Sequence, residues 1–513
     1  MIKGNLSRMP GVRTNRRLCL MGLIMVTLAL YGWIKLFMMT LNYDFHPKLA
    51  SITDMKLFTT ELKHSHDWYH KVCFNGLRQE FSISRLEDFQ ERWKVSSQLD
   101  CRVTYDMFER IYDVKRRSGQ IVVPDTFQTK LLKWLGNSED LLREAKLQFI
   151  TIIYNKYTNE ETIFNPLRAK RPGVNDQDDV ETYLDELMQK SSKDCDFCAY
   201  EFKTAEDTFG RITSTYSGTA ANAFKYNGYH SLIISKKHNF LELTEEEFID
   251  MMHTSMRWYM KVYETDKRYK YPQMMWDSLP KASASQVHTH AQASISPDGY
   301  YGLMKHIHLS ATKYAKENGG CNYFTDLLQV HNALGLATNF GNASAMAYLT
   351  PKNDNEVVIM SRTANSDFFR LLYFVLKAFT EDMKQYAWSL AMFLPKLEPW
   401  VAPGIDDIPA LVRIVSRGPV NNPRSDISSM ELFGASNVNI DPFNVIQYIE
   451  DSVRKRSVIK LKKENEQTKE ELKEELKDLE KENLEKKPED VQKIESQEKS
   501  KELREINLVN ENK

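Results

Sequence analysis

Ser285-Gln286-Val287-His288-Thr289-His290-Ala291-Gln292 reads as the start of a β-strand with His288, His290 and Gln292 on one face, because alternate residues of a strand point the same way. A His-x-His alone carries little. His306 and His308 repeat the spacing with no Gln after them and read as surface residues. What lies upstream gives the run its meaning. Cys195 and Cys198 form a Cys-x-x-Cys, and His238 follows the strand-like stretch Leu232-Ile233-Ile234. A structural zinc site takes four Cys or His ligands in a tetrahedron. Cys195, Cys198, His238 and His288 supply that set if a sheet carries both histidines to the cysteine turn. The competing reading is a pair of buried or disulfide-bonded cysteines.

With His288 on a metal, His290 lies on the same face two residues on and is the candidate nucleophile. A neutral imidazole nitrogen can attack an α-phosphorus and form a phosphoramidate, dividing one displacement into two easier ones. The other ring nitrogen then needs an acceptor, commonly a backbone carbonyl, to hold the tautomer. Gln292 shares the face and can donate its amide to a phosphate oxygen. A neutral donor stabilises developing charge without protonating a leaving group. The expected catalytic pair is His290 and Gln292, and transfer is favoured over hydrolysis.

Asn165-Pro166-Leu167-Arg168-Ala169-Lys170-Arg171-Pro172, Cys195-Asp196-Phe197-Cys198, Asn222, His238 and the run Ser285 to Gln292 together resemble galactose-1-phosphate uridylyltransferase. They also resemble its relatives in the histidine-triad superfamily, among them dinucleoside tetraphosphate phosphorylases and nucleoside-diphosphate-hexose phosphorylases. The likeness runs from residue 148 to about 450, and its second half is loose. It implies a nucleotidyltransferase or nucleotide-sugar phosphorylase with a nucleotidyl-histidine intermediate on His290. Arg168 and Arg171 would bind the nucleotide, and Asn222, Ser285 and Gln292 the phosphates. Cys195, Cys198, His238 and His288 would hold structural zinc, and the protein would be a homodimer. The implied fold is α+β, two related halves, each an open half-barrel of antiparallel strands with flanking helices. Asp277-Ser278-Leu279-Pro280-Lys281 stands where the family usually has an Asn and a Gly, and the hexose-contacting run near the C-terminus is missing, so galactose-1-phosphate is not expected as acceptor. The alternative is a nucleotide-binding scaffold that keeps the fold without turnover. A hydrolase is disfavoured because Gln292 replaces the third His of the hydrolytic triad.

Outside this core the chain changes character. Residues 1–17 are a basic flank, and Leu18 to Met39 is an apolar run of the length that spans a bilayer. A cleaved signal peptide competes, but no small-residue cleavage site follows. Positive charge before the run predicts a single-pass type II anchor with the remainder in the lumen of an endomembrane compartment, ER or Golgi. There Cys73 and Cys101 can pair, and Asn342-Ala343-Ser344 is a glycosylation sequon. A net charge of −1 offers nothing for nucleic acid. A nucleotide sugar or sugar phosphate is the expected partner.

Residues 40–147 read as a mostly helical stem or accessory stretch, with helical spacing over Leu86 to Trp93 and Phe127 to Phe149. The catalytic half spans 148–318. Within it Ala223 to Ser235 predicts two strands with a turn at Gly228. Thr244 with Glu247 is a capping box, and Leu243 with Phe248 a hydrophobic staple, for a helix to Tyr263. A faint repeat relates 232–238 to 357–363, each followed by a helix, with Thr363 or Ala364 where the first copy has His238. Residues 319–453 are then a degenerate second half. From 454 the chain is Lys/Glu-rich, a solvated helix or disordered tail. Leu472, Leu476 and Leu479 are too few for a sustained coiled coil.

Overall fold

A computed structural model of the chain describes residues 56–76, 80–170, 179–398, 408–422 and 424–458. They are mixed α+β, two sheets with flanking helices. Among them no helix is long and apolar enough to cross a membrane. The basic flank, the apolar run 18–39, Arg171 and the charged tail from 459 lie outside the described residues. The chain divides into two units, the first ending at Tyr448. Residues 449–458, the described part of the second, are helical.

The strands are β1 (Tyr112–Gln120), β2 (Leu147–Asn155), β3 (Glu161–Phe164), β4 (Ser217–Ala221), β5 (Tyr229–Ser235), β6 (Tyr271–Asp277), β7 (His290–Ser296), β8 (Ala337–Phe340), β9 (Ala343–Ala347), β10 (Val357–Ser361), β11 (Trp388–Phe393), β12 (Ala410–Ser416) and β13 (Ala435–Val438). Four form a small sheet, β1-β2-β3-β13, antiparallel except for β13 beside β3. The other nine form one antiparallel sheet, β4-β5-β7-β6-β11-β12-β10-β9-β8. That order holds one unit twice. The first is β4-β5-β7-β6, with helix Glu245–Thr265 between β5 and β6. The second is β9-β10-β12-β11, with helix Ser366–Lys377 between β10 and β11. They join through β6 and β11.

Helix Glu245–Thr265 starts at the expected capping box, Thr244 with Glu247, which satisfies two backbone donors that a helix start leaves open. It buries Phe248, Met251, Met252, Ser255, Tyr259 and Val262. The β4 hydroxyl of Ser217 donates to Asp250 of this helix at 2.7 Å, and Phe248 stacks on Trp276 of β6. The helix therefore covers the sheet face that carries Ser217 and Trp276, and His290 and Gln292 point to the other.

Phe224 and Tyr226, expected in a strand, sit exposed in the loop before β5. The strand beside β5 is instead Ser217-Gly218-Thr219-Ala220-Ala221, with all five residues buried. Its small side chains give no apolar signal, and Gly218 is required because a Cβ there would overlap the Tyr200 ring. The helical spacing over 127–149 resolves into helices Asp125–Trp134 and Glu139–Lys146 and the start of β2. Gly136 and Asn137, both at positive φ, break it. The described part of 40–147 is more than a stem. Cys73 is disulfide-bonded to Cys101 of helix Leu99–Ile111, and β1 pairs along its whole length with β2, across the boundary expected at 147/148.

Aligning the last residues of β5 and β10, Ser235 and Ser361, compares the two units. Ile234 pairs with His290 and Leu232 with Gln292 in the first; Met360 pairs with Leu411 and Val358 with Arg413 in the second. Leu411 and Arg413 thus stand where the first unit has His290 and Gln292. Arg413 is buried. Its Nη1 donates to Glu160 Oε1 at 2.6 Å and its Nε to Glu356 Oε1 at 2.5 Å. Tyr348 Oη donates to Glu160 Oε2 at 2.8 Å. Burial alone would raise the Glu160 pKa, but the Arg413 charge holds it below the ordinary value. An ion network plugs the second unit's equivalent of the His290 face. Arg413→Met leaves two buried carboxylates unpaired and should lower stability by about 3–5 kcal/mol. Adding Glu160→Gln and Glu356→Gln should restore most of it, measured as denaturation midpoints.

His331, in helix Tyr323–Ala333, stacks on Tyr348. Its Nδ1 bonds to the Leu327 carbonyl at 2.8 Å, and its Nε2 accepts from Leu349 N–H at 3.2 Å. Full burial pushes its pKa down to about 4 from 6.5. The unfolded chain takes up this proton near 6.5 and the folded chain does not until about 4, so stability falls as pH drops through that window. The loss should approach roughly 3 kcal/mol by the lower limit. Urea titrations across this range should show the slope in the wild type and a flatter one in His331→Gln.

Candidate active site

Cys195 caps and Cys198 lies within a 3-10 turn, Asp196–Ala199, whose Cys195 and Phe197 pack with Tyr200, Ala220, Leu232 and Ile234 on the His290 side of the sheet. Neither cysteine is in a disulfide, one of the two forms the competing reading allowed; Cys195 is buried and Cys198 exposed. His238 follows β5 and His288 precedes β7, and these neighbouring strands bring both rings to the turn. One ligand atom from each of the four residues falls within a 4.8 Å cluster. Cys195 Sγ and Cys198 Sγ lie 3.5 and 3.4 Å from His288 Nδ1, and Cys198 Sγ 3.5 Å from His238 Nδ1. Tetrahedral zinc with ligands at ~2.0–2.3 Å sets its donors ~3.3–3.8 Å apart, close to these spacings.

The tautomers fit a cation as well. His288 Nε2 donates to the Ser235 carbonyl at 2.7 Å. His238 Nε2 lies 2.9 Å from Ser191 Oγ, whose own proton goes to the Met188 carbonyl. Both Nδ1 atoms therefore carry bare lone pairs, and they sit 3.1 Å apart. Two lone pairs at that distance repel unless a cation lies between them. Burial and then the neighbouring Cys195 push the Cys198 thiol up to about 11, and burial takes His288 down to about 4. A Cys198 thiolate here needs a positive ion beside it.

His290 opens β7 and is buried, with Phe197 edge-on at 5.1 Å. Its Nδ1 lies 2.8 Å from the His288 carbonyl oxygen, so Nδ1 carries the proton and Nε2 the lone pair. Burial lowers its pKa and keeps the ring neutral. His288 thus acts twice, with its imidazole in the Cys/His cluster and its carbonyl holding the His290 tautomer.

Gln292 has a partner that sequence reading missed. His230 of β5 is buried, stacks on Tyr226 and sits 3.1 Å by Nε2 from Gln292 Oε1. Tyr226 N–H donates to His230 Nδ1 at 3.1 Å, so Nε2 bears the proton and donates to Gln292 Oε1. That leaves the Gln292 NH2 end for a ligand. Asn222 Nδ2 is 3.4 Å from His230 Nε2, a contact too long to reverse that assignment. The signal for His230 was its place in β5 four residues before Ile234, two steps of the strand repeat along the face that meets His290 and Gln292.

Asp277 ends β6, two residues beyond the last β6–β7 pair, Met275 with Gln292, and on the same face as His290. Ser389 Oγ donates to Asp277 Oδ1 at 2.6 Å. Burial raises the Asp277 pKa, while Ser389, Arg417 and His290 lower it. The other expected residues are more dispersed. Ser285 is exposed in the loop before β7. Arg168 lies in the turn Pro166–Lys170 and lines a cavity of ≈ 720 Å³ whose walls include Lys352, Asn353, Asp354, Asp426 and Asn439 rather than His290 or Gln292.

No protein-family model matches the chain, and no curated protein matches it. Solved structures do resemble it. An ADP-glucose phosphorylase from Arabidopsis thaliana with bound ADP-glucose is 16% identical, covers 58% of this chain and 97% of its own, and has a TM-score of 0.45. A GalT-like protein from Arabidopsis thaliana is 15% identical over 50% of this chain and 92% of its own, at a TM-score of 0.40. A uridylyltransferase is 13% identical over 49% and 82%, at 0.38.

Proposed function

We propose that the chain is a zinc-supported nucleotidyltransferase or nucleotide-sugar phosphorylase that takes a nucleotidyl group from a nucleoside diphosphate sugar onto His290 and passes it to a second acceptor. The observation that carries this is the His290 tautomer: Nδ1–H is tied to the His288 carbonyl at 2.8 Å, and Nε2 is bare on a buried, neutral ring. In the first half-reaction Nε2 attacks the α-phosphorus, the P–N bond forms, and the sugar phosphate leaves with the electron pair of the broken P–O bond. Gln292, its carbonyl end taken by His230, turns its NH2 to a non-bridging oxygen. The second acceptor reverses these steps. A zinc ion on Cys195, Cys198, His238 and His288 would brace the strand start that carries the nucleophile.

The donor class, the homodimer and the phosphate-binding roles of Arg168, Arg171, Asn222 and Ser285 rest on the motif resemblance. We further propose a type II membrane anchor at 18–39 with this domain in the ER or Golgi lumen. The Cys73–Cys101 disulfide supports an oxidising compartment, and Asn342, at an exposed turn between β8 and β9, is accessible for glycosylation. Incubation of the protein with UDP-, GDP- and ADP-glucose, followed by intact-mass measurement, should reveal one nucleoside monophosphate added per chain. Tight nucleotide binding with no adduct from any donor would make it a binding protein instead.

A further inference from the structure

Asp277 has no part in the first half-reaction, yet it stands across the strand pair from the nucleophile. The last β6–β7 pair is Met275 with Gln292; Asp277 and His290 each lie two residues past it on the same face, and each group's charge acts on the other. The orientation of Asp277 is fixed from the far side. Ser389, paired with it in register on β11, donates Oγ–H to Oδ1 at 2.6 Å, and Arg417 Nη1 donates to Ser389 Oγ at 2.8 Å.

The cations bonded into this edge are committed elsewhere. Arg417 is paired with Asp426, Nε to Oδ2 at 2.6 Å and Nη2 to Oδ1 at 3.2 Å. Lys281 directs its ammonium to the carbonyls of Asn422 and Arg424. A second phosphate entering beside His290 would meet the Asp277 carboxylate, while the Arg417 charge that also acts on Asp277 is shared with Asp426.

The geometry points to an uncharged hydroxyl compound as the second acceptor, with Asp277 as its general base. This rests on the nucleotidyl-His290 reading and narrows it to transfer rather than phosphorolysis. The acceptor O–H gives its proton to Asp277 Oδ2, its oxygen forms the new bond to phosphorus, and the P–Nε2 bond breaks. The electron pair returns to Nε2, and Nδ1–H stays on the His288 carbonyl. Burial, which raises the Asp277 pKa, makes the carboxylate a stronger base for this step.

The test uses wild type and Asp277→Asn, loaded from the glucose nucleotide that forms the adduct and freed of donor. Adduct is then discharged with methyl α-D-glucoside, glycerol, water, inorganic phosphate or glucose 1-phosphate. In the wild type an uncharged acceptor should outpace both anions, and phosphate should not exceed the water rate. Asp277→Asn should slow discharge by the fastest uncharged acceptor about 100-fold or more, and speed discharge by phosphate by roughly tenfold as like-charge repulsion is removed. A residue that merely supported the fold would slow every acceptor alike. Faster discharge of the wild type by either anion, or a variant whose preference stays within twofold of wild type, overturns the proposal. A wild type that forms no adduct overturns the nucleotidyl reading beneath it.

Discussion

His290→Ala should form no nucleotidyl adduct, and its turnover should fall by about four orders of magnitude or more, as removal of a covalent nucleophile commonly does. Among the described residues, only His290 offers a bare, buried and neutral imidazole nitrogen on this face. His288 is oriented into the metal cluster, and His230 has both ring nitrogens bonded. Gln292→Ala should behave differently. It removes a preorganised donor and not the bond-forming atom, so the adduct should still appear, about 10²–10³ times more slowly. Fold stability should drop by only about 1 kcal/mol in His290→Ala, the worth of its one hydrogen bond to the His288 carbonyl. Intact mass, single-turnover rates and thermal melts separate the cases. A nucleotidyl adduct on His290→Ala would place the nucleophile elsewhere and end this assignment.

Removal of the metal is expected to have the second largest effect, on stability and rate together. Metal analysis of protein purified without chelator should find about one zinc per chain, because four donors converge at zinc-like spacing with both histidine tautomers set for coordination. Stripping it exposes the Nδ1–Nδ1 repulsion at 3.1 Å and frees the Cys195–Cys198 turn from the sheet. Structural zinc contributes ~10–16 kcal/mol to folding in small peptides. In a domain with its own core only part of that need appear, so a loss of several kcal/mol and a melt lowered by ~10 °C are expected. Adduct formation should slow in parallel, since the backbone carbonyl that holds His290 belongs to the ligand His288. Cys195→Ser should reproduce both effects with lower occupancy. A chelated protein that melts within a degree of the untreated one and loads at the same rate would show that the cluster is not a metal site.

Much of the site was legible along the chain. Strand alternation alone places His288, His290 and Gln292 on one face, and a Cys-x-x-Cys with two strand-end histidines names a metal set by residue chemistry. The capping box at Thr244 and the helix it starts are also local facts, because the hydrogen bonds involved span only three residues. Pattern reading failed where side chains are small or partners distant. β4 is a run of Ser, Gly, Thr and Ala whose strand character comes from burial under Tyr200 and beside β5, which no local period reports.

Tertiary structure alone decided three things. It set His230 behind Gln292 across 62 residues, fixing which end of the amide faces a ligand. It put Asp277 on the His290 face of the neighbouring strand, through a β6–β7 pairing that depends on the whole sheet order. It also filled the second unit's equivalent face with Arg413, Glu160 and Glu356, drawn from three separate stretches of chain. The sequence determined which side chains the strand His290–Ser296 presents on each face, because that follows from residue type and a period of two. Which neighbours those side chains meet, and which of two like faces is filled by a buried ion network, follow from long-range pairing, where closing the chain sets the contacts.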